Sequence, residues 1–93
     1  MHRRTVYAAR PVRTLPDSAR LALAGQDLLA VLFMSAETAR AFVRALPVAL
    51  RPALAGVQAL AIGRPAAEVV MHLPWRGVRV SAKPTMVSLM ALL

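Results

Sequence analysis

Few side chains in this chain could carry chemistry, and their spacing narrows what that chemistry is. The acids are Asp17, Asp27, Glu37 and Glu68, and no two of them stand where a general acid would face a general base. His2 and His72 lie far apart, with no second ligand at metal spacing, so no metal site is expected. The absence of cysteine excludes disulfides, thiolate catalysis and cysteine-held zinc. Neither a Gly-rich nucleotide fingerprint nor a P-loop is present. Three turns remain: Ser35 to Thr38, Gly63 to Ala66, and Lys83 to Thr85. Each stands just ahead of an apolar helical repeat. Unpaired backbone N–H groups and the positive end of a helix dipole make such a turn an anion site. Tyr7 adds one phenol in a short apolar segment, and its hydroxyl needs a partner wherever it is buried.

The elements that must position these turns are legible from periodicity. Leu28, Leu29, Val31, Leu32 and Phe33 belong to an apolar run too short for a helix, which suits a parallel strand covered on both faces. Ser35 breaks the run. From there Ala39, Phe42, Val43 and Leu46 recur at helical spacing while Glu37, Arg40 and Arg44 fall opposite. Ser35 is placed to cap this helix, Glu37 to favour its dipole, and Pro47 to stop it. Ahead of this unit, Thr5 to Ala9 reads as an entry strand, and Pro16 and Gly25 bracket a helix whose stripe is Leu15, Ala19, Ala22 and Leu23.

After a connector broken by Pro52, Val57 to Ile62 reads as a second buried strand and Gly63 as the turn that follows it. A helix then places Ala66, Val69, Val70 and Leu73 on one side and ends at Pro74. Trp75 packs beside the next turn, Val78 to Val80 is a weaker strand, and Thr85 caps a last helix carrying Met86, Leu89, Met90 and Leu93. Met71, Met86 and Met90 read as core filler. Strands alternating with helices imply an α/β fold: a small three-layer parallel sheet with helices on both faces. In such a sheet the ligand edge lies at the carboxyl ends of the strands, where all three turns fall.

Composition bounds the partners. A chain of 93 residues makes one small domain. Its apolar fraction of 58% is rich in Ala, and no run approaches the roughly 18 residues of a spanning helix. The basic start MHRRTVYAARPVR has no apolar core and makes no secretory signal, so a cytoplasmic location is expected. The net charge of +8 suits an anionic partner, but the basic residues spread from Arg3 to Lys83 and the only aromatics are one Trp, one Tyr and two Phe. That pattern disfavours stacking on nucleic acid and reads first as a solvated Arg-rich surface; an anionic small molecule would be drawn to it as well, so charge alone does not choose the partner.

The succession VYAARPV, VLFMSAETARAFVRAL, GVQALAIGRPAAEVV and VRVSAKPTMVSLMALL resembles the C-terminal part of uroporphyrinogen-III synthase. Family members place a Val-Tyr strand before a Phe-x-Ser-Pro-Ser turn, an Ala-Ile-Gly-Pro-x-Thr-Ala turn and a Pro-Thr ahead of the last helix. The resemblance implies that Tyr7 helps water leave the substrate and that Ser35, Ala36, Gly63, Arg64 and Thr85 bind it. It also implies cyclisation of hydroxymethylbilane, an anionic linear tetrapyrrole, to uroporphyrinogen III without cofactor or metal. Ala36 and Glu37 depart from Pro-Ser, and Ala66 stands where a threonine hydroxyl is usual.

The family fold has two lobes, so the resemblance makes residues 1–10 a linker strand and 11–93 a single α/β lobe. That lobe would lack the strand and helix which the family draws from its N-terminal portion. A chain of this kind is expected to rearrange its sheet, to self-associate, to meet a complementary lobe, or to be a truncated product. The competing reading is a noncatalytic basic module that binds nucleic acid or an acidic partner.

Overall fold

The computed structural model describes residues 5–11 and 13–81. Strand β1 spans Thr5–Ala8, helix α1 Asp17–Ala24, strand β2 Leu28–Phe33 and helix α2 Ala36–Ala45. A 3-10 segment, Val48–Gly56, leads into strand β3, Gln58–Ile62; helix α3, Gly63–Val70, and strand β4, Gly77–Ser81, complete the described fold. The four strands form one parallel sheet in the order β1-β2-β3-β4. Among the described residues Thr5–Ala8 is an edge strand of this sheet, bonded directly to β2 with a register irregularity between Thr5 and Val6.

Strand order decides where the helices go. Each crossover steps in the same direction, and right-handed crossovers that keep stepping one way stay on one face of the sheet. The core agrees. Leu23 of α1, Ala39 and Phe42 of α2, Leu54, and Ala66, Ala67 and Val70 of α3 join Val31, Phe33, Ala59 and Ala61 in one cluster. The strand side chains that point the other way, Ala30, Leu32 and Leu60, form a second cluster with Val6, Ala8, Leu29 and Ile62. The expected parallel α/β sheet is what the chain forms, but not the expected helices on both faces: the three described helices all cover one face, because every crossover steps the same way. The last expected helix, beginning at Thr85, lies outside the described residues.

The helical layer explains the alanine content. Ala39, Ala59, Ala61 and Ala66 are each 0% exposed and Ala67 is 3% exposed, so α2 and α3 settle closely on the sheet and on each other. The aromatic side chains of this layer gather in one group. Phe33 meets Phe42 and Trp75 edge-on, with ring centroids 5.3 and 5.9 Å away, and Phe42 stacks on Trp75 at 5.8 Å. These geometries are the ones aromatic quadrupoles favour.

Two helix ends differ from expectation. α3 stops at Val70 rather than continuing towards Pro74. Pro74 has no N–H to give the Val70 carbonyl, which instead accepts from the Leu73 amide at 3.0 Å and from the Trp75 indole Nε1 at 2.8 Å. Met71 falls just past this end and is 57% exposed, not core filler.

At the end of α1 the left-handed residue is not Gly25 but Gln26, with φ 60°. The Asp27 amide reaches the Ala22 carbonyl at 2.8 Å and the Gln26 amide the Leu23 carbonyl at 3.2 Å, a Schellman ending whose key position usually carries glycine. Gln26→Gly is therefore expected to stabilise the chain by about 1 kcal/mol, read as a rise of roughly 4–8 °C in melting temperature.

Candidate functional site

Because every strand runs the same way, all described carboxyl ends share one rim. Phe33 pairs with Ala61 in register, so Ser35 and Gly63, each two residues further on, leave neighbouring strands at the same level. The starts of α2 and α3 therefore sit side by side on this rim. Thr85, the third expected contributor, lies outside the described residues.

The two helix starts are built differently. Ser35 is extended, and its Oγ accepts from the Thr38 amide at 3.1 Å while Thr38 Oγ1 accepts from the Ser35 amide at 3.2 Å. This is a capping box with threonine in the place usually held by Glu or Gln. Thr38 was not singled out from the sequence, although a hydroxyl three residues after Ser35 is the signal. The Ser35 hydroxyl is thus occupied by its own helix. What α2 offers an anion is its dipole and the amides of Ala36 and Glu37.

α3 has no side-chain cap. It begins at Gly63 with φ +73°, and Pro65 follows without an N–H, which leaves the amides of Gly63, Arg64 and Ala66 in the first turn. A Cβ at Gly63 would meet Pro65 Cδ at 3.6 Å, ordinary contact, so the requirement for glycine is backbone conformation rather than space. Gly63→Ala is expected to cost about 1–2 kcal/mol in chemical denaturation. The Arg64 side chain is exposed beside this start, whereas Ala66 is 0% exposed and belongs to the core.

Tyr7 pairs in register with Val31 and turns to the same face, into the helical layer, with its ring centroid 6.5 Å from that of Phe42. Its hydroxyl is buried without a hydrogen-bond partner. Burial raises its pKa above the usual phenol value, opposed in part by the backbone amide and the guanidinium of Arg10. Arg10 follows the carboxyl end of β1, so the phenol oxygen lies beneath the rim. The Arg10 amide acts on that oxygen electrostatically but falls short of hydrogen-bond geometry. The result is a neutral, orphaned O–H under an anion-favouring edge.

The remaining candidates hold no chemistry together. His72 is exposed, and no group of three potential metal ligands exists among the described residues. Asp17 is ion-paired with Arg20 on α1. A hollow of about 300 Å3 at the amino ends of the strands, lined by Gln26, Leu28, Pro52, Ala53, Ala55, Gly56 and Val57, offers Gln26 as its one polar side chain. No helix among the described residues is long and apolar enough to cross a membrane.

Neither a curated protein nor a solved structure matches the chain. A family model, described as uroporphyrinogen-III synthase HemD, matches residues 1–91, and on that match the chain belongs to the uroporphyrinogen-III synthase family.

Proposed function

We propose that the carboxyl rim of this sheet binds hydroxymethylbilane and takes part in its closure to uroporphyrinogen III. The observation that carries this reading is the pair of helix starts, at Ser35 and Gly63, leaving adjacent parallel strands at one level. Family membership gives the reading its tetrapyrrole chemistry. In the closure the terminal hydroxyl takes up a proton and departs as water, and the last pyrrole is inverted as the ring forms. The task for the protein is to hold a flexible polycarboxylate in one folded shape. Amides at helix starts, with Arg64 beside them, suit that task better than an acid-base dyad would.

In this reading the Tyr7 hydroxyl supplies a hydrogen bond to the departing oxygen. Protonated across the neutral range, a phenol can donate without first being charged. A second lobe, supplied by another chain or by a second copy, closes over the substrate from the far side.

Binding is testable without turnover. Titrating the chain with uroporphyrin I, an oxidised octacarboxylate macrocycle, should shift the amide NMR signals of Ala36, Glu37, Gly63 and Arg64 and leave Gln26, Gly56 and Val57 at the opposite edge unmoved. Equal shifts at both edges, or none, would remove the rim as the binding surface. Salt-dependent retardation of arbitrary DNA with no response to uroporphyrin would favour a basic interaction module instead.

A further inference from the structure

The rim also carries a cavity of about 450 Å3 lined by Pro11, Arg13, Glu37, Ala41 and Arg44. Pro11 and Arg13 come from the loop that leaves β1, while Glu37, Ala41 and Arg44 follow one another at i, i+4 and i+7 along one side of α2. Ala41 is 6% exposed and contributes only a methyl between the two charged positions. Pro11 is exposed, and Arg13, Glu37 and Arg44 are exposed and charged.

Their lack of partners is informative. Asp17 and Arg20, one helical turn apart, do form an ion pair. Glu37 precedes Arg40 by the same spacing, yet no ion pair joins them, its i+4 neighbour is Ala41, and Arg44 lies almost two turns away. Among the described residues no ion pair engages Arg13, Glu37 or Arg44.

Two guanidinium groups and one carboxylate around a single hollow complement a ligand of the opposite pattern. We infer that this cavity binds a small dicarboxylate that also carries an N–H or ammonium donor. Arg13 and Arg44 each take a carboxylate through paired, charge-assisted hydrogen bonds, and Glu37 accepts from the nitrogen. The volume lies in the range of small-molecule sites and holds one ring or one amino acid with its acid arms, not an entire linear tetrapyrrole. Glu37 then selects among anions rather than only repelling them.

Two sources share this chemistry. One is a free amino dicarboxylic acid. The other is a single ring of the polycarboxylate proposed above, with two acid arms and a pyrrole N–H, and that source rests on the preceding reading.

The test titrates the full chain with L-glutamate and with glutarate, which lacks the nitrogen, following amide signals of Arg13 and of Glu37 through Arg44. Saturable shifts are expected, with glutamate bound more tightly. Arg13→Gln and Arg44→Gln should each weaken binding about tenfold or more, and Glu37→Gln should erase the preference for glutamate. Ala41→Met fills the hollow without altering its charges and should abolish binding while preserving the helix. Non-saturable shifts, or unchanged affinity in both arginine variants and in Ala41→Met, would overturn the inference.

Uroporphyrin I separates the sources. Competition with glutamate identifies a tetrapyrrole ring as the natural occupant, whereas simultaneous binding identifies a free amino dicarboxylate. Glutamate binding without any uroporphyrin binding would remove the tetrapyrrole reading and leave this site standing.

Discussion

Phe42→Ala should remove most of the chain's stability. Phe42 is 2% exposed and touches the rings of Tyr7, Phe33 and Trp75, so its loss opens a cavity at the centre of the helical layer. Truncations of this kind cost about 3–5 kcal/mol, against roughly 5–15 kcal/mol for an entire small domain. With 93 residues the chain sits towards the lower end of that range. Urea denaturation followed by near-ultraviolet circular dichroism would report it, since Trp75 stacks directly on the removed ring. Val48→Ala, at a position 74% exposed, should move the same transition by less than about 0.5 kcal/mol.

Tyr7→Phe should pull stability and activity in opposite directions. The hydroxyl is buried without a partner, and its removal relieves a desolvation cost of about 1–3 kcal/mol. The variant should therefore denature later than the native chain. If the phenol donates to the departing hydroxyl, the same change should slow closure by roughly 10²–10⁴-fold.

The pH dependence carries a further signature. With its folded pKa raised, Tyr7 holds its proton after the unfolded phenol has begun to release it near pH 10. In that window the native state binds more protons than the unfolded state, so its stability is intact below about pH 10 and falls as pH rises towards the folded pKa. Tyr7→Phe should lack this alkaline loss. A variant less stable than the native chain at neutral pH would mean that the hydroxyl is satisfied after all.

The sequence reads most clearly where one segment specifies both its own shape and its neighbour. The uninterrupted run from Leu28 to Phe33 became β2 over those same residues, and the Ser35 cap and Phe42 stripe fixed α2. The rim follows from parallel topology, which places the Ser35 and Gly63 turns together wherever their strands pair. Less legible were features set by contacts distant in sequence.

The early end of α3 depends on the Trp75 indole reaching the Val70 carbonyl, which helical periodicity does not encode. The left-handed turn fell on Gln26 because Gly25 still closes α1 with ordinary angles. Arg13 and Arg44 read individually as surface charge, and only the crossing of the β1 exit loop over α2 brings them to one cavity. Direct pairing of β1 with β2 was likewise a tertiary outcome, since Val6 and Tyr7 alone specify a strand but not its neighbour.

The most direct trial of the account is the isomer distribution formed from enzymatically generated hydroxymethylbilane. The chain would be supplied alone and together with a polypeptide carrying a complementary lobe, and the products separated by isomer. The account predicts type III uroporphyrinogen above the spontaneous background when both pieces are present, with Tyr7→Phe reducing its rate. Type I product alone, at the uncatalysed rate in both mixtures, would contradict it.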